Sequence, residues 1–156
     1  MIKEIQGYLT TLRELQDQVK NLLEGLQQEA LDWRPIQEEG ELETNSLAAI
    51  VTHLAGSEIF FMKEIIGRQP IQRDREAEFV TRGMNASVLK AKVDAAAKSA
   101  EEVLSPLTEG QLGEECKLRD RMVTVRWSIL HVIEHTGQHV GHMQLTRQLW
   151  LAKSKK

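Results

Sequence analysis

Apolar residues recur at gaps of three and four along four separate segments of this 156-residue chain. On an α-helix that period gathers the apolar side chains on one face, which must then be buried against another helix. The segments cover residues 2–28, 46–66, 86–104 and 125–151. We see no strand-forming run of note and no internal repeat, so the pattern predicts an all-α four-helix bundle, up-and-down-like in arrangement.

Two long connections, residues 31–45 and 67–85, separate the first three predicted helices. Both contain proline and glycine, which end helices, and Asn45 or Ser46 can cap the helix that follows the first connection. Connections of this length are uncommon in compact domains and often lie beside functional sites. Residues 107–124 also lack a sustained apolar period, and we expect a loop there. A short extended segment can precede the fourth helix.

The second connection is also rich in arginine, and we expect it to be a loop with a short helical turn. Its four arginines are Arg68, Arg73, Arg75 and Arg82. Two interpretations of them stay open. They form a solvated, salt-bridged loop, or one of them neutralises an anionic substrate near a site.

Composition predicts a single cytoplasmic domain over residues 1–156, with residues 152–156 as a short basic tail. The chain is 41% hydrophobic, and its apolar runs are too short to cross a bilayer. A net charge of −3 gives no electrostatic reason to expect a nucleic-acid partner. The N-terminal residues do not form a signal peptide, and the lone Cys116, which excludes an internal disulfide, suits a reducing compartment.

Histidine is the most unevenly distributed residue in the sequence, because four of the five lie in the last predicted helix. These four are His131, His135, His139 and His142. On a helix they fall within about 80° of arc, so they form one stripe. The fifth, His53, lies on the core side of the second predicted helix. If these two helices pack together, the chain can form a three-histidine metal site.

Imidazole nitrogen binds zinc, nickel and similar divalent ions readily, and histidines at i and i+4 can chelate one ion. The favoured triad is His53, His135 and His139, and the alternative register uses His131 with His135. Three protein ligands leave a coordination position for water or substrate, which is typical of a catalytic site. The expected cofactor is therefore a divalent metal ion, most simply Zn²⁺ or Ni²⁺.

The apolar neighbours of the histidine stripe indicate that it faces inward. Val132, Met143 and Trp150 flank the stripe, and Leu145 and Leu149 continue it. Burying unpaired imidazoles would cost a few kcal/mol for each unsatisfied group, which favours metal binding over a purely structural role.

A different face of the same helix carries Gly137 and Gly141, a pair that predicts close approach of another backbone. Leu130, Ile133 and Val140 also lie off the inward face. They can pack across a homodimer interface or be buried within the monomer. Both alternatives stay open at this stage.

Sequence signatures of other chemistries are absent. There is no HExxH zincin motif, no ExxH pair of the di-iron bundle type and no glycine-rich phosphate loop. No GxSxG elbow occurs, and Cys116 lies in a charged stretch without a nucleophile signature. A metal site is therefore the kind of functional site that the sequence supports best.

Three stretches of the chain, in order LDWRP, NSLAAIVTHLAGSE and VRWSILHVIEHTGQHVGHMQLTRQL, resemble the DinB-like bundle superfamily. That superfamily includes thiol-dependent S-transferases that use mycothiol or bacillithiol. The resemblance implies a four-helix bundle with unusual connectivity, often dimeric, with metal ligands at His53, His135 and His139. It also implies that His142 lies near the open coordination position.

The functional hypothesis is a metal-dependent thiol S-transferase acting on a low-molecular-weight thiol and a small electrophile. His142 or His131 would orient a ligand, support the metal ligands or act as a base. Glu58 and Glu134 are candidate acceptors for imidazole N–H groups. The alternative is that they are solvated surface acids, which is the interpretation we favour for Glu134. The alternatives are a metal-binding stress or interaction module without turnover, and a metal-free bundle whose histidines serve packing.

Overall fold

Four long helices form the body of the computed structural model, which describes residues 1–37 and 44–154. The helices are α1 (Lys3–Leu22), α2 (Gln28–Asp32), α3 (Leu47–Ile59), α4 (Arg75–Phe79), α5 (Ala86–Leu104), α6 (Glu109–Leu112) and α7 (Val125–Lys153). The π-helix Phe60–Ile66 continues α3, and two strands, β1 (Glu115–Leu118) and β2 (Arg121–Thr124), pair before α7. The predicted helical bundle is thereby confirmed. Within the described ranges, no helix has both the length and the apolar character needed to span a membrane.

The helix boundaries follow the predicted ones with two differences. Helix α1 ends at Leu22 rather than at residue 28, because Gly25 takes a left-handed φ of 71° and the chain turns into α2. Helix α7 extends to Lys153, so it includes the start of the predicted tail. Residues 38–43 of the first predicted connection, and residues 155–156 of the tail, lie outside the described residues.

Local hydrogen bonds explain where α3 begins and how it continues. Ser46, one of the two predicted caps, accepts a hydrogen bond from the Ala49 backbone N–H at 3.2 Å. At the far end, the Gly67 N–H donates to the Met62 carbonyl five residues earlier, as in a π-helix. The wider turn changes which side chains face inward, and the neighbouring residues Ile65 and Ile66 are both buried.

The order of the helices around the bundle differs from the up-and-down-like expectation. Helices α1 and α3 each pack against α5 and α7. The helices joined by the first and third connections, α1 with α3 and α5 with α7, therefore lie diagonally across the bundle. In an up-and-down bundle, helices that follow one another in the chain are neighbours. Residues 23–46 and 105–124 are long enough to cross this diagonal, which a turn of a few residues cannot do.

A β-hairpin occupies much of the predicted loop 107–124, so the expectation of no strand is wrong. β1 pairs antiparallel with β2, and Cys116 and Leu118 are buried beneath the hairpin. The charged residues Glu115 and Lys117 alternate with Cys116 and Leu118 along β1, so this strand has one buried and one solvated face. Thr124 at the end of β2 caps α7 by accepting a hydrogen bond from Trp127 N–H.

Two apolar clusters fill the bundle, with a layer of polar side chains between them. One cluster holds residues near the start of α1 and α7, and the other holds residues near their ends. Gln16, Glu58 and Thr136 are buried at the level between the clusters. The Gln16 side-chain amide donates to Glu58 Oε1 at 2.7 Å, which joins the diagonal helices α1 and α3. Glu58 thus accepts a hydrogen bond from Gln16, not from an imidazole as expected.

The inward face of α7 is narrower than the sequence pattern predicted. Val132 and Met143 are buried, as expected. Leu145 and Leu149 are 56% and 43% exposed, so the expectation that they continue the inward face is wrong. Val140 is buried within the chain rather than lying off the inward face.

Substitution of Glu58 should change the pH dependence of stability. Burial raises the pKa of the Glu58 carboxyl to about 7, although the Gln16 hydrogen bond lowers it. The favourable contribution of this group is complete below its unfolded pKa and is lost as the pH rises through about 7. The side chain of the Glu58→Gln variant stays neutral at every pH. We therefore expect the difference in unfolding free energy, variant minus wild type, to increase by about 1–3 kcal/mol between about pH 5 and pH 8.

Urea unfolding of the metal-free protein at both pH values measures this difference. Glu14→Gln is the matched control, because Glu14 is an exposed glutamate on α1. The control should follow the wild-type pH profile. Parallel profiles for wild type and Glu58→Gln would show that Glu58 is not the group that titrates.

Candidate metal centre

The structure brings together the three histidines of the favoured triad, from the neighbouring helices α3 and α7. Nε2 of His53 lies 3.2 Å from Nε2 of His135. The ring centroid of His139 lies 4.6 Å from that of His135 and 5.4 Å from that of His53. One nitrogen from each ring belongs to a set whose members all lie within 4.8 Å of one another. We call these residues the three-histidine cluster.

The other two histidines lie beside the cluster rather than in it. His131 stacks on Trp127, with centroids 4.9 Å apart and an interplanar angle of 7°, and packs against Phe61. The ring centroids of His131 and His135, the alternative pair, lie 5.9 Å apart, and no nitrogen of His131 belongs to the set within 4.8 Å. His142 is exposed, and its ring centroid lies 5.3 Å from that of His139.

A carboxylate from the second long connection fixes the orientation of His53. Nδ1 of His53 donates to Oε2 of Glu78, in α4, at 3.0 Å. Arg73 donates to both oxygens of the same carboxylate, at 2.7 and 2.8 Å. Because an ionised carboxylate only accepts hydrogen bonds, Nδ1 keeps its proton and the lone pair of Nε2 faces the cluster.

Gly56 provides the space that this contact needs. It lies three residues after His53, on the same part of α3. A Cβ at Gly56 would lie 2.1 Å from Oε1 of Glu78 and 2.9 Å from its Cδ. The hydrogen bonds to His53 and Arg73 hold the Glu78 carboxylate there, so a larger residue would displace it.

Burial keeps the cluster imidazoles neutral. Burial, together with the positive charge that His139 and His53 would carry, lowers the pKa of His135 to about 3. Burial likewise lowers the pKa of His139 to about 4. For His53 burial also lowers the pKa, outweighing the Glu78 carboxylate, so His53 and Glu78 form a hydrogen bond between a neutral imidazole and a carboxylate. Neutral imidazole is the form that binds metal ions.

The cluster fits a divalent metal ion. Zinc–nitrogen bonds of 2.0–2.1 Å in a tetrahedral shell place two ligand nitrogens about 3.3 Å apart. The separation between Nε2 of His53 and Nε2 of His135 is 3.2 Å. In addition, Nδ1 of His139 is buried without a hydrogen-bond partner in the described part of the chain. Three neutral nitrogens are a donor set that Zn²⁺ and Ni²⁺ accept.

Two cavities of different chemistry border the cluster, and their walls share no residue. The first, of about 360 Å³, includes His53 and His135 in its wall. We call it the arginine cleft, after Arg73, Arg75, Arg119 and Arg121, which also line it. The second, of about 500 Å³, is the apolar cavity, where Ile36 and Leu149 lie beside His139 and His142.

The sequence did not reveal Glu78, because it lies in a connection without helical period. Arg73 is one of the four arginines noted in that connection, and it forms an ion pair with Glu78, as the salt-bridge interpretation predicts. Gly56 carried a signal, since a glycine inside a helix on the side of a buried histidine often marks a close approach. Glu134 is exposed, as the surface-acid interpretation predicts, and its side chain accepts a hydrogen bond from Gln138.

Solved structures of bacterial proteins share this fold. A conserved protein from Enterococcus faecalis superposes with a TM-score of 0.76 at 14% identity, covering 97% of this chain and 99% of that one. YfiT from Bacillus subtilis, described as a probable metal-dependent hydrolase with an unusual four-helix bundle topology, gives 0.74 at 17%, covering 95% and 89%. A DinB-like protein from Bacillus cereus gives 0.70 at 17%, covering 92% and 90%. Identities this low show the fold alone.

The bundle and its cluster thus define a helical protein with a histidine site suited to a divalent metal ion, on a fold that it shares with DinB-like proteins. The sequence profile of the mycothiol S-transferases matches residues 6–151, and the chain belongs to that family. The family resemblance predicted from the sequence motifs is confirmed. No curated protein matches the chain.

Alanine at Gly56 and at Gly137 should have opposite effects on stability. At Gly56 the methyl group displaces the Glu78 carboxylate, and we expect the free energy of unfolding to fall by roughly 1–3 kcal/mol. At Gly137, in α7, an added Cβ meets nothing within 4 Å in the described residues, so the predicted close backbone approach is absent. Gly137→Ala should therefore raise the free energy of unfolding by up to about 1 kcal/mol through helix propensity.

Denaturant unfolding of the metal-free variants measures both changes. Equal stabilisation by the two substitutions would mean that Glu78 moves away from Gly56 at no cost. A loss of stability in Gly137→Ala would instead point to a partner chain packed on that glycine.

Proposed function

We propose that this protein is a metal-dependent thiol S-transferase whose ion is held by His53, His135 and His139. The observation that carries the proposal is the convergence of three neutral imidazoles, with nitrogens within 4.8 Å of one another, beside two cavities. Membership of the mycothiol S-transferase family supports a thiol as one substrate. Three protein ligands leave room for an exogenous ligand, and Zn²⁺ or Ni²⁺ is the ion we favour.

A divalent ion in this position would favour the thiolate form of a thiol that reaches it. The protein contributes position and proton transfer. Glu78 keeps the His53 ring oriented, and His142, which is exposed beside His139, accepts the thiol proton. The sulfur electron pair forms a bond to carbon of the electrophile, and the bond to the leaving group breaks with its electrons. His131 is the alternative base.

We further propose that the chain acts in the cytoplasm as a homodimer. The only cysteine, Cys116, is buried in the reduced form, which suits a reducing compartment. The exposed leucines Leu130, Leu145 and Leu149 of α7 are candidates for the dimer contact.

Replacement of the triad tests the metal site directly. We expect untagged wild-type protein to bind one divalent ion. Alanine at His53, His135 or His139 should abolish stoichiometric binding, because loss of one of three protein ligands strongly lowers the affinity for the metal. Elemental analysis and calorimetric titration measure the metal. Retention of stoichiometric metal by the His135→Ala, His139→Ala double variant would refute the triad.

Activity is tested with the metal restored, as transfer of a small thiol to a chlorinated aromatic electrophile. His142→Ala should keep the metal and lose most of the turnover, by roughly 10²-fold or more for a lost proton acceptor. His131→Ala is its matched comparison, and the larger loss identifies the base. Hydrolysis of an ester without thiol is measured in parallel, because YfiT is described as a probable hydrolase.

The second candidate function is a metal-binding module without turnover. The observation in its favour is that the cluster joins α3 to α7, so an ion there would tie the bundle together. A closed four-ligand shell in a metal-loaded crystal structure, together with no transfer by the loaded protein, would identify this function. An open position with measurable transfer would identify the enzyme.

Glu78→Gln should weaken metal binding without removing any ligand. The amide can no longer fix the His53 tautomer as a carboxylate does, and we expect a 10- to 100-fold lower affinity, as is usual for such supporting groups. Glu76→Gln is the matched control, because Glu76 is an exposed neighbour in α4. Metal titration of both folded variants checks the result. Equal affinities in the two variants would contradict a supporting role for Glu78.

A further inference from the structure

We propose that residues 32–34 act as a positioning element for the metal centre, because they hold residues 78–79 against the ring of His53. This inference rests on the proposed function, since it assigns these residues a role in supporting the proposed metal site. We call them the DWR segment, and its members are the half-buried residues Asp32, Trp33 and Arg34. The segment lies at the end of α2, in the first half of the chain, whereas residues 78–79 end α4 in the second long connection.

Residues 78–79 contact the imidazole of His53 in two ways. The carboxylate of Glu78 accepts the hydrogen bond from Nδ1 at 3.0 Å. The ring of Phe79 packs against the His53 ring, with centroids 4.5 Å apart and an interplanar angle of 30°. The first contact fixes the tautomer, and the two contacts together restrict rotation of the ring. The direction of the Nε2 lone pair therefore depends on where residues 78–79 lie.

The helix that carries these two residues is too short to be stable without tertiary contacts. Helix α4 has five residues, and isolated helices shorter than about 12 residues are marginal in water. The last carbonyl groups of a helix also have no partner within it. Here the Phe79 carbonyl accepts a hydrogen bond from Nη2 of Arg34 at 2.8 Å. Arg34 thus fixes the end of α4 at which Glu78 and Phe79 lie.

A second contact holds the chain just after α4. The backbone N–H of Gly83 donates to the carboxylate of Asp32, with distances of 3.3 and 3.1 Å to its two oxygens. Gly83 has a left-handed φ of 73°, which glycine adopts without strain. The DWR segment therefore binds the second connection at two backbone positions, Phe79 and Gly83.

Trp33 connects the same segment to the helix that supplies the other two histidines. Its ring centroid lies 5.6 Å from that of Trp150, near the end of α7, with an interplanar angle of 57°. His135 and His139 lie on α7, whereas His53 lies on α3. The DWR segment thus contacts α7 on one side and the residues that orient His53 on the other.

The test removes one hydrogen bond of the DWR segment and follows His53 itself. Arg34→Met keeps an apolar stem but loses the donor to the Phe79 carbonyl, whereas Arg34→Lys keeps a donor. Long-range ¹H–¹⁵N spectra of the metal-free protein report the Nδ1–H of His53, and the signal is assigned by its absence in His53→Ala. We expect the Nδ1 proton to exchange with solvent at least roughly tenfold faster in Arg34→Met, and Arg34→Lys to stay close to wild type.

Two control variants separate positioning from a general loss of stability. Arg82→Met removes an exposed arginine of the same connection, and Val103→Ala removes packing in the apolar cluster near the start of α1. Both should keep the wild-type exchange rate. Asp32→Ala, which removes the acceptor of the Gly83 N–H, should speed the exchange as Arg34→Met does. It takes the place of Arg34→Met if that variant does not fold.

Metal affinity is the second readout. Where wild type binds Zn²⁺, Arg34→Met should bind it roughly tenfold more weakly, and Arg34→Lys and the two controls within about twofold of wild type. An unchanged exchange rate of the His53 proton in the folded test variant overturns the proposal, as does an equal rise in Val103→Ala or an unchanged Zn²⁺ affinity. If wild type binds no metal, the proposed function fails, while the exchange rates still decide whether the DWR segment positions His53.

Discussion

The carboxylate of Glu78 is the contact on which the geometry of the cluster depends. A buried imidazole must satisfy its N–H, and a buried carboxylate must be paired, so His53, Glu78 and Arg73 satisfy one another. Two of the three come from the second long connection, which ties that connection to α3. Gly56 permits the contact because its missing side chain leaves room for the carboxylate. The connection is thus part of the site rather than a cover over it.

The connectivity of the bundle and the position of the cluster are two aspects of one arrangement. In an up-and-down bundle the second and fourth helices are diagonal, whereas here α3 and α7 are neighbours because α1 and α3 occupy opposite corners. The two predictions from the sequence therefore conflicted, since convergence of His53 with the α7 histidines favours adjacent helices. The cluster lies near the polar layer of Gln16 and Glu58, where the core already accommodates polar groups.

Features that rest on helical period or on scarce residues were predictable from the sequence. The four long helices follow their apolar period, and α5 has the predicted bounds. The histidine grouping was predictable because the chain has few histidines and four share one helix. The hairpin and Glu78 were not, since their positions depend on tertiary contacts that leave no period. The role of individual glycines was not predictable for the same reason. A side chain from another element lies close to Gly56, whereas none lies close to Gly137 among the described residues. Only the neighbouring elements distinguish the two positions.

The charge of the ligand set gives the site a definite electrostatic character. Three neutral imidazoles would leave the full charge of a divalent ion uncompensated, whereas a carboxylate ligand would cancel part of it. The carboxylate of Glu78 does not compensate the charge of the ion, because the guanidinium of Arg73 already neutralises that carboxylate. The neighbouring Arg119 and Arg121 add further positive charge. In a partly buried site these charges act at reduced dielectric, so they favour the anionic form of whatever enters, and a thiol that enters is stabilised as its thiolate.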